Sequence, residues 1–160
     1  DEKAVGIICT YAAQRELIRQ RLHSAGISGR LLANCKIDTV DSYQGKQNTI
    51  VIVSLVRNNT KGRSETGEQT IAQGFMSRGN RINVALSRAM DRLVIVGASK
   101  RWPLESPMGR VAVAMTDLAA EGVAEFIDAS GLTPEGHTEK GARSRRKRSG
   151  QAHRRNVRAT

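Results

Sequence analysis

Residues 81–97 read RINVALSRAMDRLVIVG, an amphipathic helix running into an apolar strand. At about 100° per residue, the step from Arg81 to Arg88 turns through about 700°, which brings the two side chains within about 20° of each other. Ile82, Ala85, Leu86 and Ala89 line a separate stripe that faces a core. A short polar turn at Met90 and Asp91 then feeds Leu93-Val94-Ile95-Val96, a continuous apolar run typical of a strand covered on both faces. A helical arginine is ordinarily a solvated charge. Two on one face, directly before a buried strand, suggest anion recognition.

Upstream, residues 4–9 (AVGIIC) read as a buried strand and residues 12–25 as a helix stopped by Gly26, with Leu17, Ile18 and Leu22 as its apolar stripe. Further strands are expected at 36–40 and 50–56, joined by a tight polar connection, 41–48, that contains Gly45. Residues 60–79, rich in Gly, Ser, Thr and charge, read as an exposed insertion. A helix at about 80–89 and a strand at 92–96 follow. Trp102-Pro103 and Pro107 then punctuate the chain before a helix at 108–121, with Val111, Met115 and Leu118 on one face. Strands alternating with helices predict an α/β fold with a mostly parallel sheet covered on both faces.

The charge is uneven. Residues 137–160 carry nine Lys or Arg against one Glu and so hold +8 of the formal net charge of +11, leaving +3 for the remainder. With no aromatics and almost no aliphatics, that stretch cannot offset its ordering entropy. The expected organisation is one domain, 1–129, and a disordered basic tail, 130–160. The run RSRRKR at 143–148 is open to three readings: a nuclear localisation signal, a nucleic-acid anchor or a solubilising end. The two cysteines, Cys9 and Cys35, have no neighbours at metal-ligand spacing and cannot build a disulfide framework, so no metal site is expected. No signal peptide is visible, and no apolar run approaches the roughly 18 residues of a membrane span. A cytoplasmic setting without membrane contact is expected, or a nuclear one if 143–148 is a localisation signal. The chain opens without Met and enters a strand at once, which suggests a piece of a longer polypeptide.

In parallel sheets, ligands bind outside the carboxyl ends of the strands. The polar residues expected there are Tyr11, Gln14 and Arg15, then Asp41, Tyr43, Gln44, Gly45, Lys46 and Gln47, then Arg57, Asn58 and Asn59. With Arg81 and Arg88 they form a rim of cationic and amide donors suited to phosphate. A phosphate loop is missing. The nearest match, residues 62–67, is followed by Glu68 and Gln69 where a Walker A motif has Lys and Ser or Thr, and the most apolar strand leads into Ser54 rather than a magnesium-binding carboxylate. Arginines without a phosphate loop or metal ligands make up half of a phosphoryl-transfer site.

Three blocks, in order, carry a resemblance: Gly6-Ile7-Ile8-Cys9-Thr10-Tyr11-Ala12-Ala13-Gln14-Arg15; Thr39-Val40-Asp41-Ser42-Tyr43-Gln44-Gly45-Lys46-Gln47 with the strand after it; and Arg81-Ile82-Asn83-Val84-Ala85-Leu86-Ser87-Arg88-Ala89. They resemble motifs IV, V and VI of the C-terminal RecA-like domain of superfamily 1 helicases of the nonsense-mediated-decay and DNA-replication-helicase type. Cys9 and Thr10 stand where that family usually has Thr and Pro, and Gln47 where it commonly has Glu. The resemblance implies a three-layer RecA-like domain that acts as the second motor domain of an ATP-dependent helicase. ATP and Mg2+ would be held by the Walker residues of an N-terminal RecA-like domain of the same protein, and the partner would be single-stranded or duplex nucleic acid. It implies that Arg15 and Arg88 reach the γ-phosphate as arginine fingers and that Gln14, Gln44, Gly45 and Gln47 lie on the nucleotide side. Arg81 is either a phosphate contact or a structural salt bridge. Thr39 and Ser42 would lie on the nucleic-acid track, where a hydroxyl can donate to a phosphate oxygen. The competing expectation is a non-catalytic module in which a helicase-like scaffold carries a nucleic-acid-binding tail.

Overall fold

The computed structural model describes residues 4–56, 61–63 and 66–128, and the expectations for 57–59 and for the tail fall outside them. In chain order the elements are β1 (Val5–Cys9), α1 (Ala12–Ser24), α2 (Gly29–Ala33), β2 (Cys35–Thr39), a 3-10 turn (Asp41–Tyr43), β3 (Asn48–Ser54), β4 (Gly62–Arg63), β5 (Gln69–Thr70), a second 3-10 turn (Gly74–Ser77), α3 (Gly79–Leu86), β6 (Ala89–Val96) and α4 (Pro107–Ala120). Four strands form one parallel sheet in the order β2-β1-β3-β6, while β4 and β5 make a separate antiparallel pair. The expected α/β architecture, a parallel sheet flanked by helices, is what the chain adopts.

Alternation along β1 divides the core. Ile7 and Cys9 point to one face and pack with Ile37, Ile18 and Leu22, while Ile8 points to the other and packs with Val40, Tyr43, Val51, Val53 and Ala85. Helix α1 therefore covers one face, and α3 with the 41–43 turn covers the other, because consecutive strand residues face opposite sides. Gly26, at φ +69°, ends α1 as expected. Leu17, placed on the buried stripe by its spacing, is half exposed, since Ile18 and Leu22 alone meet the sheet.

The 81–97 segment departs from its helical reading. Helix α3 stops at Leu86 and Ser87 caps it, so Arg88 lies beyond the helix and does not share a face with Arg81. Met90 and Asp91 are not a turn, because β6 already begins at Ala89. That strand is the sheet's edge, with Val94 and Val96 38% and 50% exposed, and its apolar run is covered on one side rather than both. Among the described residues it pairs with β3 alone, in a register that runs from Asn48↔Ala89 to Ser54↔Val96.

The 60–79 insertion also holds more than polar surface. Ile71 and Met76 are buried with Ile82, Trp102 and Met108, making a third apolar cluster that seats α4. Gly109 in α4 runs against the Pro103 carbonyl, where a Cβ would collide. The stripe expected on α4 is only partly used: Val111 packs on this cluster, whereas Leu118 is exposed.

Candidate functional site

The register separates the candidate residues into two polar clusters. Because the strands are parallel, Cys9, Thr39 and Ser54 stand at the carboxyl edge of the sheet, and Val5, Asn48 and Ala89 at the amino edge. The 41–43 turn begins at the carboxyl edge, but the connection must reach the start of β3 and carries residues 44–47 to the amino edge. The single rim expected from the sequence is thus two rims.

At the carboxyl edge, Arg15, Thr39, Ser42, Arg81 and two aspartates come together. Arg15 Nη1 lies 3.3 Å from Asp38 Oδ1, and its Nη2 lies 2.9 Å from Glu16 Oε1. Arg81 Nε is 3.5 Å from Asp41 Oδ1. Thr39 Oγ1 donates to Ser42 Oγ at 3.2 Å, and the Thr39 N–H donates to Asp38 Oδ1 at 2.9 Å. Burial alone would raise the Asp38 pKa, but the Thr39 N–H, Arg15 and Ser42 outweigh it and hold the carboxyl below its ordinary value. Hydrogen bonds from Arg15 to Glu16 and Asp38 raise the guanidinium pKa in turn. Among the described residues of this cluster, Arg15 and Arg81 each already have a carboxylate.

Gln14 fills the crevice where the strand order reverses, between the carboxyl ends of β1 and β3. Its Oε1 accepts from the Thr10 N–H at 2.9 Å, and its Nε2 donates to Ser54 Oγ at 2.8 Å and to the Ser54 carbonyl at 3.0 Å. As the third helical residue of α1, it reaches back to the N–H of Thr10, the residue before the N-cap Tyr11. The amide is buried and its polar atoms are used within the protein.

At the amino edge, Arg88 meets the 43–48 loop. Its Nε donates to the Val84 carbonyl at 3.0 Å, its Nη2 to Ser87 Oγ at 2.8 Å and its Nη1 to the Lys46 carbonyl at 3.4 Å. The Val84 carbonyl is one of the acceptors that α3 leaves unpaired at its C-terminus, where a cation is also favoured by the helix dipole. All three acceptors are neutral. Among the described residues no carboxylate pairs with Arg88. Gly45 has φ +75°, yet a Cβ built there meets nothing within 4 Å, so glycine is needed for its backbone turn and the space beside it is open. Gln44 and Gln47 are exposed on the same loop.

The structure therefore groups Arg15, Arg81, Thr39 and Ser42 at one edge and Gln44, Gly45, Gln47 and Arg88 at the other. The backbone levels of Asp38 and Asn48, to which Arg15 and Arg88 are tied, differ by five residues of β3, about 16 Å along the strands. Sequence reasoning missed Asp38, Ser54 and Asn48 as partners. Asp38 and Asn48 lie within or beside the motif blocks, but only strand register reveals which side chains they meet. Among the described residues no group of three or more His, Cys, Asp or Glu could hold a metal ion, and no helix is long and apolar enough to cross a membrane.

The chain belongs to the AAA-domain family, whose model matches residues 1–100. Its relatives make it a helicase-related RecA-like domain. It is 35% identical over 97 residues to "Regulator of nonsense transcripts 1" of Caenorhabditis elegans, covering 60% of this chain and 8% of that protein. It is 37% identical over 119 residues to "Helicase required for RNAi-mediated heterochromatin assembly 1" of Schizosaccharomyces pombe, covering 73% of this chain and 11% of the relative. It is 34% identical over 100 residues to "DNA replication ATP-dependent helicase/nuclease JHS1" of Arabidopsis thaliana, covering 62% of this chain and 6% of the relative. The chain thus spans a small part of the curated relatives it matches.

Proposed function

We propose that this chain is the second motor domain of an ATP-dependent superfamily 1 helicase. It would supply cationic groups to a nucleotide whose Walker A and B residues and magnesium ligands lie in an N-terminal RecA-like domain of the same protein. The observation that carries this reading is the state of Arg88: a guanidinium fixed by three neutral acceptors, without a carboxylate partner among the described residues. A cation so placed is oriented but not neutralised, the condition under which it stabilises charge developing on a transferring phosphoryl group. ATP, when bound, would supply the free energy of its hydrolysis, the γ-phosphoryl group passing to water and ADP leaving.

Residues of this chain divide the remaining work. Arg88 and the open backbone at Gly45 face the phosphates, with Gln44 and Gln47 on the same loop. Arg15, the proposed second finger, and Arg81 stand at the opposite edge, and each reaches the phosphates only on leaving its carboxylates, Asp38 and Glu16 for Arg15 and Asp41 for Arg81, and swinging toward the Arg88 edge. Gln14 ties the start of α1 to β3 and so fixes where Arg15 begins. Thr39 and Ser42, with exposed hydroxyls at the carboxyl edge, belong to the nucleic-acid track. Residues 1–129 form the motor domain and 130–160 a basic tail that adds salt-sensitive, sequence-independent attachment. The protein works in the cytoplasm, or in the nucleus if residues 143–148 are read as a localisation signal.

The test is ATP hydrolysis by the chain alone and by the longer protein that carries it. Residues 1–160 alone should hydrolyse ATP negligibly, and the longer protein should do so with a rate that collapses on Arg88→Ala. Steady turnover by residues 1–160 that is abolished by Arg88→Ala would overturn the division of labour.

A further inference from the structure

Arg88 is held in a closed circuit of hydrogen bonds, of which the helicase reading uses only the contact to the Lys46 carbonyl. The Asn48 N–H donates to the Arg88 carbonyl at 3.0 Å, at the point where β3 and β6 begin to pair. Arg88 Nη1 donates to the Lys46 carbonyl at 3.4 Å, and the Lys46 N–H donates to the Tyr43 carbonyl at 3.1 Å. The Tyr43 hydroxyl lies 2.9 Å from Asn48 Oδ1 and 3.1 Å from the Lys36 carbonyl, both acceptors for its one proton. The circuit Tyr43, Asn48, Arg88, Lys46 and back to Tyr43 encloses the turn at Gly45.

Two of its members are rigid. Tyr43 is fully buried and Asn48 is 2% exposed. Their hydrogen bond is packed against Gly6 of β1, where a Cβ would run into the Tyr43 hydroxyl and come within 2.6 Å of Asn48 Oδ1. The Lys36 ammonium, 4.8 Å above the Tyr43 ring, closes the other side. The other two members, Lys46 and Arg88, lie nearer the surface and present the weakest link of the circuit, the 3.4 Å contact. A loop anchored so firmly at Tyr43 and Asn48 fixes the Lys46 carbonyl, which completes the aim of a guanidinium held from the other side by the Val84 carbonyl and Ser87 Oγ.

We infer that Tyr43 and Asn48 are positioning residues for Arg88, setting both the arginine's backbone and the loop carbonyl that aims its guanidinium. This rests on the proposed role of Arg88. A positioning residue acts only through the group it positions, so its loss should reduce turnover without weakening nucleotide binding and should cost nothing further once that group is gone.

The experiment compares Tyr43→Phe, Arg88→Ala and the double variant in the longer protein, by steady-state ATP hydrolysis and thermal unfolding. Tyr43→Phe keeps the buried ring and deletes only the hydroxyl. The expected result is a kcat about tenfold lower, as for one hydrogen bond at the upper end of the usual range, with KM for ATP within about twofold. In the Arg88→Ala background, Tyr43→Phe should change kcat by less than about twofold. If Tyr43→Phe does not fold, Asn48→Ser, which leaves the tyrosine in place, carries the same comparison. A kcat within about twofold of the parent, or losses that multiply in the double variant, overturns the inference while leaving Arg88 as a finger. Arg88→Ala without effect removes both readings at once.

Discussion

The two edges of this sheet hold arginines in opposite ways. At the carboxyl edge Arg15 is shared between Asp38 and Glu16, and Arg81 lies beside Asp41, so the charges are balanced by side chains that are themselves partly exposed. At the amino edge Arg88 is tied to two carbonyls and a hydroxyl, held against a buried Tyr43–Asn48 pair. Orientation and neutralisation are separate properties of a cation. A carboxylate partner supplies both, whereas neutral acceptors supply only the first and leave the charge for a ligand.

The largest expected effect breaks or upholds this contrast directly. Arg88→Ala should lower ATP turnover of the longer protein about 10³-fold, in the range for an arginine finger. Arg15→Ala should cost at least about ten times less, because part of its charge is already spent on carboxylates. Equal losses, measured as kcat/KM, would show that the ion pairs do not matter.

Next in size is a change to the buried support. Gly6→Ala should destabilise the domain by about 1–3 kcal/mol through overpacking against Tyr43 and Asn48, read as a lower thermal midpoint. Pairing it with Tyr43→Phe should recover part of the loss, since the hydroxyl is the first atom met. A wild-type midpoint for Gly6→Ala would mean that the amino-edge cluster is as loose as the exposed one.

A smaller effect comes from Cys9, fully buried beside the carboxyl cluster. Burial pushes its thiol from an ordinary 9.0 up to about 11. The native state then keeps a proton that the unfolded chain releases, so this contribution is complete below pH 9 and is lost as pH rises from about 9 to about 11. Urea unfolding at pH 8 and pH 10 should show a loss of stability that Cys9→Ala makes smaller, the remainder coming from Tyr43, whose hydroxyl burial also pushes upward.

The smallest effect is expected at the ion pair itself. Asp38→Asn should change stability at pH 7 by less than about 1 kcal/mol, because the pair is partly solvated. Asp38 is held below its ordinary pKa, so its contribution is present above the unfolded value and lost as pH falls through the folded one. The variant should therefore have a flatter acid limb in a stability-against-pH series. A loss of several kcal/mol would make the carboxyl edge a buried support after all.

Much of this was legible in the chain. The alternation of apolar runs and helical stripes placed β1, α1, β2, β3 and α4 to within a few residues, and Gly26 and Gly45 marked the backbone turns that only glycine takes comfortably. The end of α3 was not legible, because 81–89 keeps helical spacing past the point where strand pairing takes over. Asn48 bonds the Arg88 carbonyl and Ala89 enters β6, so a tertiary hydrogen bond overrides a local pattern. Ile71 and Met76 sat unnoticed in a polar stretch, since a cluster assembled from distant residues leaves no periodic trace.

The sequence by itself determined the class of fold, the family blocks and the absence of a phosphate loop, because strand and helix periods and motif chemistry are local. Which arginine has a carboxylate to balance its charge, among the described residues, was decided only by the tertiary structure. Arg15 and Arg88 are the same residue type in comparable motif blocks, and their difference lies in the neighbours that register brings to each: Asp38 on one edge, the Lys46 and Val84 carbonyls on the other.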